Sequence, residues 1–117
     1  MRSVLFCTIV LASLVITGCN ETPPVVLGHA PGGRQITTIA SLQPSAKPQT
    51  IQGTMIDKCP VAGCWFHVKD STGVVKVDTK SSGFVVAQVP LNTHVTVTGI
   101  LHKDDDGTLT ATGMSYR

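Results

Sequence analysis

Apolar and polar residues alternate with a period of two along most of the chain after Thr50, in segments that turn signals separate. This period places successive side chains on opposite faces of a strand, which is typical of a half-buried β-sheet. Val and Thr dominate these segments, as a pleated surface prefers. The predicted strands are residues 50–57, 64–70, 74–79, 94–102 and 108–114. The sequence therefore predicts an all-β domain.

The order of these segments favours one architecture. Three strands in a meander, a longer connection over 81–93 and a final hairpin are the layout of a small five-stranded OB-fold-like barrel. An SH3-like barrel and an open five-stranded sheet are the alternatives that the pattern leaves open. The predicted inward-facing residues are Cys64, Phe66, Val68, Val75, Val77, Val95, Val97 and Leu101, with Phe84, Val85, Val86 and Val89 of the connection as core plugs.

The N-terminus has the three parts of a bacterial export signal. Arg2 precedes an apolar run over residues 4–16, which has the length of a signal-peptide core and is short for a membrane-spanning helix of about 20 residues. The following Ile-Thr-Gly-Cys at 16–19 resembles the lipobox of bacterial lipoproteins, with Ile where Leu is commoner. The resemblance implies a signal peptide over 1–18 and acyl chains on Cys19. Several acyl chains make a stable membrane anchor, at about 0.8 kcal/mol per buried CH₂.

Export places the mature chain on the periplasmic side of a membrane. Asn20 follows the acylated cysteine, and in Gram-negative lipoproteins this residue favours the outer membrane over the inner one. Residues 19–49 are rich in Pro and Gly and predict a flexible tether, which as a coil spans roughly 30 Å. The β domain is predicted over 50–117.

The run GTMIDKCPVAGCWFHVKDSTGVVKVDT, residues 53–79, resembles small bacterial periplasmic OB-fold proteins and lipoproteins of the tRNA-anti-like, nucleic-acid-binding type. In these proteins a Gly-x-Val or Gly-x-Met strand leads into a cysteine-flanked loop and then Cys-Trp. The resemblance covers residues 53–101 and implies fold and location. Nucleic acid is not expected as a partner, because the net charge is only +2, no basic run occurs and aromatic residues make up 4% of the chain.

Cys59 and Cys64 flank the turn between the first two predicted strands, and His67 follows three residues later. A structural disulfide is the first interpretation, because exported domains of this size gain from such a bond. A site for Cu(I) or Zn(II) on both thiolates, with His67 as a third ligand, is the second. Strand alternation works against His67, which it directs away from Cys64. A redox-active dithiol is the third interpretation, although such pairs are usually Cys-x-x-Cys at a helix start.

Strand alternation also predicts a contact surface. Trp65, His67 and Lys69 share the outer face of the second strand, and Lys76 lies on the next strand. OB-folds bind their ligands on the outer face of strands two and three, so we expect an envelope protein or small ligand here. Packing of Trp65 against the tether or the long connection is the alternative.

No catalytic motif occurs: the sequence has no nucleophile elbow, phosphate loop, His-Glu-x-x-His or paired carboxylates. We therefore expect a non-catalytic, lipid-anchored binding or accessory module without a cofactor, with Cys59 and Cys64 joined. A periplasmic copper- or zinc-binding protein is the alternative, and a thiol–disulfide oxidoreductase is a third hypothesis.

Overall fold

The computed structural model describes residues 23–32, 35–104 and 106–117. The predicted signal peptide and the predicted lipidation site, Cys19, lie outside these residues. The strands are β1 Val25–Gly28, β2 Gln49–Lys58, β3 Trp65–Lys69, β4 Val74–Asp78, β5 His94–Leu101 and β6 Thr108–Tyr116, with 3-10 turns at Ile39–Ser41 and Lys80–Ser82. In this part of the chain no helix has the length and apolar character needed to cross a membrane.

Strands β2 to β6 close into a barrel. β2 pairs antiparallel with both β3 and β5, β3 pairs with β4, and β5 pairs with β6. A parallel pairing of β4 with β6 completes the ring in the order β2-β3-β4-β6-β5. This is the OB-fold-like, all-β barrel that the strand order predicts, and the ring pairing excludes the open sheet.

The barrel interior holds the predicted apolar residues of β3, β4 and β5. The buried residues include Phe66, Val68, Val75, Val77, Val95, Val97 and Leu101, together with Val86 and Val89 of the long connection. Two predictions are corrected. Val85 is 53% exposed, because the connection turns inward only at the next residue. Cys64 is only partly buried, because it precedes β3 and belongs to the loop rather than to the inward face of the strand.

Part of the predicted tether packs on the barrel. β1 pairs antiparallel with the last four residues of β6, from Gly113 to Tyr116. β4 covers this side of β6 only over 108–110, so an unpaired edge remains for β1 to fill. Ile39 is a core residue at 7% exposure, and Ile36 bridges to Thr50. The folded domain therefore begins before residue 50 and includes β1 and Ile39, which the sequence assigned to the tether over 19–49.

Candidate functional site

The outer face of β3 and β4 carries the predicted surface residues. Alternation along β3 buries Phe66 and Val68 and leaves Trp65, His67 and Lys69 on the outside. The antiparallel register sets His67 opposite Lys76 and Trp65 opposite Asp78. All four predicted residues, Trp65, His67, Lys69 and Lys76, therefore share one face, as the sequence indicates.

Trp65 contacts two of the other residues on this face. The Lys76 Nζ atom is 5.3 Å from the centroid of the Trp65 ring, within the range of a cation–π interaction. The His67 ring stands edge-on to the indole, with centroids 5.4 Å apart and an interplanar angle of 70°. The indole is half-buried, so part of its surface stays accessible.

Asp57 completes the cluster, and the sequence did not predict it. His67 Nδ1 lies 3.5 Å from Asp57 Oδ2, a contact that depends on the cross-strand pairing of the two residues. A register shift between Met55 and Asp57 leaves both Ile56 and Asp57 exposed. Strict alternation cannot show this irregularity, because a β-bulge puts two consecutive residues on one face.

A shallow polar depression of about 620 Å³ continues the face toward the β5–β6 loop. Lys76 and Asp78 of β4 form one side, Thr108 and Thr110 of β6 form another, and His102 belongs to the β5–β6 loop. Because Lys76 also contacts Trp65, the aromatic cluster and the depression form one surface. We call this combined surface the outer face. It consists of Asp57, Trp65, His67, Lys76 and the residues that line the depression.

The loop between β2 and β3 holds both cysteines at its two ends. Both are partly buried and carry free thiols, so the predicted disulfide is not present in the structure. Hydrogen bonds from the backbone N–H groups of Ala62 and Val61, with smaller contributions from Gly63 and Cys64, lower the pKa of the Cys59 thiol to about 7. Burial opposes this shift without cancelling it. Thiolates are the reactive form of cysteine, so the loop favours reactivity at Cys59.

His67 does not join the cysteines. It lies on the outer face beside Asp57 and Trp65, as strand alternation indicates. Within residues 23–32, 35–104 and 106–117, no group of three or more His, Cys, Asp or Glu side chains is placed to hold a metal ion. The structure therefore does not assemble the predicted three-ligand site of Cys59, Cys64 and His67.

No family model matches this sequence, and no curated protein does. Among solved structures, the chain is similar to the hypothetical protein ygiW from E. coli, with 18% sequence identity and a TM-score of 0.53. The match covers 71% of this chain and 90% of that one. At this identity the likeness concerns the fold alone, and it agrees with the OB-fold-like barrel that the strand pairings define.

Proposed function

We propose that this chain is a lipid-anchored, non-catalytic binding module of the bacterial envelope, whose ligand docks on the outer face. The observation that carries the proposal is the position of Lys76 against the half-buried Trp65 ring. An indole with an ammonium at its face offers a ligand apolar contact and charge at one point. Aromatic residues of this kind are enriched at the centres of binding surfaces.

The place of the cluster in the barrel supports the same function. β3 and β4 are the second and third strands of the five-stranded barrel, the face on which OB-folds bind their ligands. In OB-folds two loops border such sites. The corresponding loops of this chain are residues 59–64, which contain both cysteines, and residues 102–107, which contain His102. This side of the barrel carries two acidic residues, Asp57 and Asp78, and two basic residues, Lys69 and Lys76. These charges suit a polar partner, or one with charges of both signs, better than a purely anionic one.

The lipid anchor belongs to this proposal and is tested separately. In cells fed an alkyne-tagged fatty acid, we expect the chain to take up the label and the Cys19→Ser variant to take up none. An unlabelled wild-type chain that keeps residues 1–18 inside the cell would remove the envelope from the proposal.

The docking surface is tested by photo-crosslinking in living bacteria that express the full chain. A benzoylphenylalanine at Val74, which is exposed on β4, samples the outer face. The same photoreactive amino acid at Gln52, which is exposed on β2 and away from this cluster, is the matched control. We expect a specific adduct from position 74 that is lost with Trp65→Ala and with Lys76→Glu, and that position 52 does not give. An adduct that persists in both variants contradicts the proposal.

A further inference from the structure

The cysteine loop carries chemistry that a binding surface does not need. Pro60 to Gly63 connect β2 to β3 as a short loop, and Cys59 and Cys64 stand where the loop leaves and rejoins the hairpin. The last cross-strand pair is Lys58 with Phe66, and the Cys59 N–H donates to the Trp65 carbonyl at 3.0 Å. Trp65 thus faces Cys59 across the hairpin, and Cys64 is the residue directly before Trp65.

The far end of the loop is fixed to the rest of the barrel. The Thr79 N–H donates to the Cys64 carbonyl at 2.9 Å, and the Val86 N–H donates to the Gly63 carbonyl at 2.8 Å. Gly63 has a φ of +63° and is packed so closely that a Cβ would lie 2.6 Å from the Ala87 nitrogen. The loop therefore has little freedom to rearrange, and its backbone N–H groups keep their orientation.

Those N–H groups act on the Cys59 thiol. Backbone hydrogen bonding by residues 61–64, led by Ala62 and Val61, lowers its pKa to about 7. Successive main-chain N–H groups in a turn form anion sites, and a thiolate at the start of this loop is favoured for the same reason. A thiolate at this position is stabilised by these backbone groups, and it stays partly accessible to solvent.

We propose that Cys59 is a modification site at which a small hydroperoxide is reduced, and that Cys64 is the thiol that resolves the product. The Cys59 thiolate attacks the terminal peroxide oxygen, an S–O bond forms and the O–O bond breaks. The terminal OH is transferred to sulfur, which makes Cys59 a sulfenic acid. The rest of the hydroperoxide leaves as an alkoxide, or as hydroxide from hydrogen peroxide, and takes up a proton. The Cys64 sulfur then attacks the Cys59 sulfur, water leaves with the Cys64 proton, and a disulfide forms.

A cysteine pair that undergoes these reactions differs from a permanent structural disulfide in two ways. In the reduced loop both thiols are free, and the β2–β3 hairpin is paired up to Lys58 and Phe66. The two sulfurs also have unequal roles, because the loop N–H groups favour negative charge on Cys59. The proposal does not rest on ligand binding at the outer face, and either can fail without the other.

The first experiment uses the full chain, purified from membranes in detergent and reduced with dithiothreitol. Alkylation of Cys59 by iodoacetamide is followed against pH, with fragmentation mass spectrometry to assign the label. We expect half-maximal rate near pH 7 and, at pH 7, a rate roughly threefold above that of a peptide cysteine with the ordinary pKa of about 8.5, since a lower pKa also reduces intrinsic nucleophilicity. A disulfide that is present on purification and resists dithiothreitol overturns the proposal.

The second experiment treats the reduced chain with hydrogen peroxide and dimedone, which traps sulfenic acids. In Cys64→Ser we expect the dimedone adduct on Cys59, and in wild type we expect the 59–64 disulfide instead. In Cys59→Ser we expect labelling of Cys64 to be at least several-fold slower. The proposal is rejected if Cys64 is labelled before Cys59, or if peroxide-treated wild type forms no disulfide. Should either variant not fold, substoichiometric peroxide on wild type still shows which sulfur reacts first.

Discussion

The backbone N–H of Ile39 donates a 2.8 Å hydrogen bond to Asp70 Oδ2. The other oxygen of the same carboxylate accepts from Thr72, both N–H and Oγ1, and from the Gly73 N–H, at 2.6 to 3.0 Å. One side chain thus closes the β3–β4 turn and holds the segment before β2 on the barrel. Removing it by Asp70→Ala is expected to lower the free energy of unfolding by about 2 kcal/mol, measured by urea denaturation.

The same carboxylate gives the stability a pH dependence. Partial burial acts to raise the pKa of Asp70, but the hydrogen bonds from Thr72, Ile39 and Gly73 outweigh it and hold the pKa below its ordinary value. The folded state then binds fewer protons than the unfolded chain, so this stabilisation is present above about pH 4 and lost as the pH falls below it. The free energy of unfolding of Asp70→Ala should lack this pH-dependent contribution. Asp104→Ala, on an exposed loop residue, is the control and should change little.

β1 is expected to detach when Gly113 gains a side chain. Gly113 pairs with Gly28, and a Cβ at Gly113 would overlap the backbone of His29. In Gly113→Ala we expect the amides of Val25 to Gly28 to lose hydrogen-exchange protection, while β2 to β5 keep theirs. Gly73→Ala is the control, because its nearest neighbour would be 3.6 Å away. Equal protection of β1 in both variants would contradict the packing described here.

The barrel itself was predictable from the sequence because its signals are local. Period-two alternation fixes which face of a strand is buried, and Phe66, Val77 and Val97 all follow it. Ser71 to Gly73 mark a turn by residue type alone. The order of the segments then restricts the topology, and the parallel pairing of β4 with β6 confirms the predicted closure.

The parts that the sequence did not predict depend on long-range contacts. β1 pairs with an edge of β6 that β4 leaves free, and the backbone of the buried Ile39 is bonded by Asp70, which is 31 residues away in the chain. Asp57 joins His67 through a bulge that interrupts the alternation. The lowered pKa of Cys59 depends on where the backbone N–H groups of residues 61–64 lie, and loop dihedral angles such as the φ of +63° at Gly63 set those positions.

Lys76→Ala is expected to uncover the Trp65 ring. Since the chain contains a single Trp, its fluorescence reports on this surface alone. Loss of the ammonium at 5.3 Å should increase quenching by acrylamide and lower the stability by less than about 1 kcal/mol. Lys69→Ala removes a charge from the same face of β3 and serves as the control. Equal quenching in the two variants would mean that Lys76 does not cover the ring in solution.

Thr79→Val is expected to stabilise the fold. Thr79 is fully buried, and its hydroxyl has no hydrogen-bond partner among the described residues. A valine keeps the shape and removes the desolvated hydroxyl, so the free energy of unfolding should rise by roughly 1 kcal/mol. Thr98→Val is the matched control, because the Thr98 hydroxyl lies 2.8 Å from that of Thr50. There the same change should destabilise, and an increase in stability at both sites would argue against this assignment.

Gly63→Ala is expected to change the reactivity of Cys59 without unfolding the barrel. An alanine at φ +63° is strained, and its Cβ would push against Ala87, so the loop must shift and its N–H groups must move away from the sulfur. The pH midpoint of Cys59 alkylation should then rise from near 7 toward the ordinary thiol value of about 8.5. Gly83→Ala is the matched control, because its φ of +72° imposes a similar backbone strain in open space, outside the cysteine loop. A midpoint that moves equally in both variants, or in neither, would show that the loop geometry does not determine the acidity of Cys59.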